Sequence, residues 1–143
     1  MAKDDRLIYL ISMAHLALRT HIHGLLAAEG VRLTVPQATV LFILKERDGR
    51  MMSELGKILG VDNSAMTGLI DRLEKAGCVR REAMQEDRRA LLIRITPEGL
   101  EEARRAAGVI RGVNEKIKTG FKAAQIEAFK DVLGGILEQY KIR

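Results

Sequence analysis

Two prolines occur in 143 residues, and each stands just inside a helix-starting signal. In Thr34-Val35-Pro36-Gln37, Thr34 can cap, Pro36 lies in the first turn, and Gln37 can reach back to complete a capping box. In Thr96-Pro97-Glu98, Thr96 caps, Pro97 takes the first helical position, and Glu98 faces the positive helix end. These starts divide the chain into three segments whose hydrophobic periods differ.

The N-terminal segment, about 4–28, places Leu7, Ile8, Ile11, Ala14, Leu18, Leu25 and Leu26 at spacings near three and four, an amphipathic helix ending at Glu29-Gly30. The C-terminal segment, about 97–142, carries two helices separated by Gly120. The second has Ile126, Phe129, Val132, Leu133, Ile136, Leu137 and Tyr140 on one side. Such wide apolar faces need something to pack on, either each other or a second copy of the chain. The length suits one domain, which buries roughly 70% of its unfolded surface without staples. With 47% hydrophobic and 30% charged residues the balance is globular. Aromatics are 3%, so the core rests on Leu, Ile, Val, Ala and Met, and single-strand binding by ring stacking is excluded as a main mode. A net charge of +5 permits a polyanionic partner. It is not concentrated in the middle, where Arg50 to Thr96 holds 9 basic and 7 acidic residues, a net of about +2.

The middle segment, about 33–96, has short helical patterns at about 35–47, 53–59 and 63–75. The period then changes. Leu91, Ile93 and Ile95 alternate with Leu92 and Arg94, which predicts a strand, with 78–83 as its partner and Gln85 to Arg89 as a polar hairpin tip. Ser53 to Leu73 predicts a helix-turn-helix. Ser53 can cap the first helix, Gly56 allows close helix approach, Gly60 can end that helix, and Asp62 can cap the second. Met66, Leu69, Ile70 and Leu73 form the buried stripe. The opposite stripe, Asn63, Ser64, Thr67, Gly68, Asp71 and Arg72, is small, polar and mostly uncharged, which suits entry into a DNA major groove. A basic-tipped hairpin after it makes a winged helix, with Arg88 and Arg89 placed to enter a minor groove. Asp87 would repel phosphate, so its expected role is to hold the tip by pairing with Arg72 or Arg89. Arg72 fits that pair or a phosphate contact equally. Lys57, Arg80 and Arg81 fit phosphate contact or a generic basic surface.

The order and spacing of Leu33-Thr34-Val35-Pro36-Gln37, Val61-Asp62-Asn63-Ser64-Ala65-Met66-Thr67, Ile70-Asp71-Arg72-Leu73-Glu74-Lys75-Ala76-Gly77, Asp87-Arg88-Arg89 and Ile95-Thr96-Pro97-Glu98-Gly99 resemble the MarR-type (multiple antibiotic resistance regulator) transcription factors. Asp87-x-Arg89 matches the wing signature of that family. The resemblance implies a homodimer built from the terminal helices and binding a pseudo-palindromic double-stranded operator. Recognition helices would sit in major grooves and wing-tip arginines in minor grooves, with repression commonly relieved by a small ligand or by oxidation. Gly68 departs from the pattern, since many relatives carry a larger polar or basic residue there. More of the readout then rests on Asn63, Ser64, Thr67 and Arg72.

The remaining chemistry-bearing residues suggest less. Cys78 reads as a small buried strand residue, and the N-terminal helix lacks the cysteine by which peroxide-sensing relatives resemble one another. His15 and Arg19 share a helix face with His23 one turn on. They fit a cleft for a small anionic or aromatic ligand or, alternatively, a polar stripe. Met51 and Met52 read as core or short-strand residues. No metal site, cofactor motif or catalytic arrangement is visible, and no uncharged run approaches the roughly 18 residues of a membrane span. The N-terminal run reads as mature sequence and not as a signal peptide, because Asp4 and Asp5 occupy the would-be basic region. The expectation is a cytoplasmic, mainly α winged helix-turn-helix with a small β-wing, one domain over 1–143 flanked by dimerisation helices. Its expected function is DNA-binding transcriptional regulation and not catalysis. The alternative is a winged-helix module for protein interaction or small-molecule binding, without operator binding.

Overall fold

A computed structural model describes residues 3–141. Its elements run α1 (Leu7–Ala28), α2 (Val35–Glu46), β1 (Arg50–Met51), α3 (Met52–Leu59), α4 (Asn63–Lys75), β2 (Val79–Ala83), β3 (Leu91–Ile95), α5 (Pro97–Thr119) and α6 (Ala123–Gln139). Both threonine caps form. Thr34 Oγ1 accepts from the Gln37 N–H at 3.3 Å, and Gln37 Oε1 accepts from the Thr34 N–H at 3.0 Å, which closes the reciprocal box. Thr96 Oγ1 accepts from the Gly99 N–H at 3.0 Å with Pro97 opening α5.

The hairpin forms where the period changes. β2 pairs antiparallel with β3 from Val79↔Ile95 to Ala83↔Leu91, and β1 adds a two-residue outer strand on the other edge of β3. Met51 lies in β1 and is exposed, while half-buried Met52 opens α3. Ser53 does not cap α3. The cap is Met51, two residues earlier, where the Glu54 carboxylate accepts from the Met51 N–H at 3.3 Å and is fixed by Arg47 at 2.7 Å, so Ser53 is already inside the first turn. The last residue of the expected C-terminal helix, Ile142, lies outside the described residues.

The core belongs to the middle segment. Ala38, Val40, Leu41 and Leu44 of α2 meet Leu55 of α3, Met66, Ile70 and Leu73 of α4, Val79 and Ile93 of the sheet, and Ala103 and Ala106 of α5. Leu69, expected in the buried stripe, is half-buried at its edge. Burying each large aliphatic side chain stabilises the fold by about 1.5 to 3 kcal/mol, so this cluster dominates the favourable side of folding. The terminal helices contribute little to it. α1 buries only Leu26 and α6 buries no residue, leaving Ile8 84% and Val132 60% exposed.

One corner joins α4, the sheet and α5. Thr96 Oγ1 donates to the Gly77 carbonyl at 2.5 Å, and the Thr96 N–H donates to the Cys78 carbonyl at 3.0 Å. Gly99 lies against the same Cys78 carbonyl so closely that a Cβ would overlap it and stand 2.9 Å from Ile95 Cγ1. Gly99→Ala must therefore push α5 off the hairpin base, and the obstacle is backbone, which cannot swing aside. We expect a loss of roughly 3 kcal/mol in urea unfolding, at the upper end for overpacking. A loss below about 0.5 kcal/mol, the range of an ordinary surface substitution, would show that the corner yields.

Candidate nucleic-acid interface

The exposed face of α4 is held out by its own turn. Gly60, at φ 68°, ends α3 in the left-handed region. Asp62 Oδ1 accepts from the Ala65 N–H at 2.8 Å and starts α4. At Gly56 a Cβ would stand 3.2 Å from Met66 Cγ, so α3 and α4 pack more closely than a side chain allows comfortably. Asn63, Ser64, Thr67, Asp71 and Arg72 are exposed on the outer side. Gly68 is half-buried, and a Cβ at that position would meet nothing within 4 Å, so it leaves a shallow gap in that face. Thr67 Oγ1 donates to the Asn63 carbonyl at 2.8 Å and lies 3.6 Å from Met52 Sδ, so its proton is engaged within the protein and its oxygen keeps acceptor capacity.

The hairpin tip is shaped by Asp87, which meets Arg89, one of its two expected partners, through the main chain and not through the guanidinium. Its carboxylate accepts from the Arg89 main-chain N–H at 3.0 Å, and its carbonyl accepts from the Ala90 N–H at 3.0 Å. Asp87 thus makes an Asx-type turn. Its carboxylate is occupied locally, and no ion pair joins it to Arg72 or to the Arg89 guanidinium among the described residues. Arg88 and Arg89 stand exposed at the tip.

Ion pairing sorts the cations of this unit. Arg81 pairs with Asp71 at 2.6 Å and Glu74 at 2.8 Å, Arg80 with Glu82 at 2.9 Å, and Arg94 with Glu82 at 3.2 Å and Asp48 at 3.8 Å. Among the described residues Lys57, Arg72, Lys75, Arg88 and Arg89 have no carboxylate partner and are exposed. The open cations therefore lie on α3, at the C-terminal end of α4 and at the wing tip, around the uncharged α4 face. Arg80 and Arg81, for which phosphate contact and a generic basic surface were both open, are tied into the protein.

A protein-family model for the MarR family matches residues 33–91. The HTH-type transcriptional repressor Rv2887 of Mycobacterium tuberculosis is 31% identical over 133 residues, covering 93% of this chain and 94% of that protein. The chain belongs to the MarR family. Among solved structures, the M. tuberculosis MarR family protein Rv2887 in complex with salicylic acid is 30% identical at a TM-score of 0.72, covering 95% of this chain and 99% of that one. A mutant of Escherichia coli MarR complexed with operator DNA superposes at a TM-score of 0.83 with 23% identity, covering 93% and 94%, a likeness of fold.

In this MarR-family chain the two residues expected to share a ligand cleft line separate cavities. His15 faces an apolar groove of about 490 Å³ between α1 and α6, beside Ile11, Leu18, Phe129 and Val132. Arg19 lines a cavity of about 270 Å³ with His23, Thr20, Leu16, Thr34 and Val35. The helical face is shared, but the neighbouring elements divide it. Sequence reasoning missed the double pairing of Arg81. Asp71 and Glu74 stand three apart on α4 and mark one face, but which arginine meets them depends on how the hairpin folds back.

Cys78 is 1% exposed at the base of β2. Burial pushes its thiol above the ordinary value of 9.0, and the charges of Glu102 and Glu98 push in the same direction. The thiolate is then scarce at neutral pH. We expect the native protein to resist a thiol reagent such as DTNB at pH 7 to 8 and to react fully once unfolded in guanidinium. Rapid labelling of the native protein would overturn this account of the cysteine.

Proposed function

We propose that this chain works as a homodimeric, sequence-specific double-stranded DNA-binding regulator of transcription, a ligand-responsive repressor in the cytoplasm, and that it carries no catalytic activity. The observation that carries the reading is the arrangement of open arginines. Arg72, Arg88 and Arg89 are unpaired among the described residues and flank a face made of Asn63, Ser64, Thr67 and Gly68, while neighbouring arginines are held by carboxylates. A generic basic surface would not be sorted in this way. The Rv2887 relative is a transcriptional repressor, and the E. coli neighbour is bound to operator DNA, which supports the same reading.

The mechanism follows from the geometry. α4 enters the major groove with Asn63, Ser64 and Thr67 on base edges. Gly68 lets the backbone approach, and Thr67, with its hydroxyl proton engaged, accepts from a base amino group. Arg89, set by the Asp87 turn, enters the adjacent minor groove with Arg88 beside it. Arg72 and Lys57 meet phosphates, and these contacts make affinity fall with salt. Two copies packed through the exposed faces of α1 and α6 would present their recognition helices roughly 34 Å apart, matching two half-sites on a pseudo-palindromic operator.

For the effector, the cavity lined by Arg19 and His23 offers a cation and an imidazole to a small aromatic acid, and the Rv2887 relative was solved with salicylic acid. A ligand that prefers a dimer with misfitted helix spacing lowers operator affinity by population shift.

On a duplex selected from random DNA by the wild-type protein, Arg89→Ala should weaken binding by about tenfold or more, the worth of one good arginine contact. Sedimentation should report the same dimer for both proteins. Unchanged binding would remove the wing from the interface. A monomeric wild-type protein at micromolar concentration would remove the dimer, and failure to select any duplex would favour a protein-docking module. Titrating salicylate into the free protein and into the complex should give linked affinities, with ligand binding weakened on DNA by the factor by which ligand weakens DNA binding. Ligand binding that is identical in both states would break the coupled switch.

A further inference from the structure

Among the described residues, Arg81 makes the one charged connection between the recognition helix and the wing. It lies in β2, opposite Ile93 of β3, with its side chain three-quarters buried. Nη2 donates to Asp71 Oδ1 at 2.6 Å and Nη1 to Glu74 Oε1 at 2.8 Å. Asp71 and Glu74 are three apart on α4 and lie on neighbouring turns. A planar guanidinium gripping two carboxylates spaced along a helix opposes both rotation and sliding of that helix against the strand, which one point charge cannot do.

The location matters because β3 is held by its pairing with β1 and by the Ile95 N–H donating to Asp48, and the base of the wing by the Thr96 bonds to Gly77 and Cys78, whereas Arg81 is the charged tie from β2 to α4 among the described residues. β2 continues from that base through Arg81 to Ala83 and then into the tip that carries Arg88 and Arg89. Because β2 and β3 are hydrogen-bonded along their whole length, any tilt of β2 at Arg81 is carried to the tip. A binder that touches DNA at two places gains from the second contact only as far as the two are held in register beforehand.

We propose that Arg81 is a positioning residue that sets the wing-tip arginines relative to the recognition helix, an inference that rests on the DNA-binding reading above. Arg81 does not touch DNA. It holds Arg89 where the minor groove will be when α4 is in the major groove. It also neutralises Asp71, an acid on the face turned toward DNA.

The test is a double-mutant cycle on the selected duplex. Arg89→Ala costs about tenfold in the wild-type background and less than about threefold in an Arg81→Gln background, because a wing already out of place has little left to lose. The same shrinkage is expected with Asp71→Asn, which keeps Arg81 and its bond to Glu74 and so serves if Arg81→Gln does not fold. A merely structural Arg81 would lower the thermal midpoint and leave the Arg89→Ala effect at its full size in both backgrounds, and that result overturns the proposal. If instead Arg89→Ala has no effect even in the wild-type background, the wing-contact reading fails first. The two failures are thus distinguished by the single Arg89 variant.

Discussion

The corner at Gly77, Cys78, Thr96 and Gly99 is the constraint on which the rest of the molecule depends. Four parts meet there, namely the end of the recognition helix, the start of β2, the end of β3 and the first turn of α5. Thr96 serves all of them, since its hydroxyl donates to Gly77, accepts from Gly99 and leaves its N–H for Cys78. The missing side chain of Gly99 lets α5 come down onto the Cys78 carbonyl. Since α5 leads into α6, this contact fixes how a DNA-binding face is presented by any assembly made from the terminal helices.

The electrostatics gain meaning from that frame. A segment of about +2 gives little reason to expect strong attraction to DNA from net charge alone. What the fold does is divide the cations. Arg80, Arg81 and Arg94 neutralise acids within the wing and helix, and among the described residues Arg72, Arg88 and Arg89 remain open around the α4 face. Each exposed pair contributes little to stability, with a median of about 0 to 1 kcal/mol. Their greater effect is on the pattern of potential, since a carboxylate left unpaired on that face would repel phosphate. Asp87 follows the same logic. Its carboxylate is engaged with a main-chain N–H beside the arginines and shapes the turn they stand on.

The terminal helices lead to the same conclusion from another direction. In one copy α6 buries nothing and α1 buries one leucine, though both carry wide apolar stripes. Burial of about 1.5 to 3 kcal/mol per large side chain is thus left unrealised in the isolated chain, a strong physical reason for a second copy. The core of the middle segment is closed by Leu26 of α1 and by Ala103 and Ala106 of α5, while the remaining apolar faces of α1 and α6 stay open.

Local chemistry was legible in the sequence. The two Thr–Pro starts, the Asp62 cap, Gly60 at the end of α3 and the change of period at the hairpin each depend on residues within about four positions of one another, so propensity and spacing suffice to read them. The helix-turn-helix, the wing and the exposed α4 face followed from these signals, as did the burial of Cys78. Tertiary structure decided which charges meet. Arg81 reaches Asp71 and Glu74 across seven to ten residues, Arg94 reaches back to Asp48, and His15 and Arg19 are parted by the different elements facing them. It also decided that Asp87 turns to a main-chain N–H and that Glu54 displaces Ser53 as the cap of α3. A long flexible side chain has many partners within its reach, and only the packed backbone selects among them.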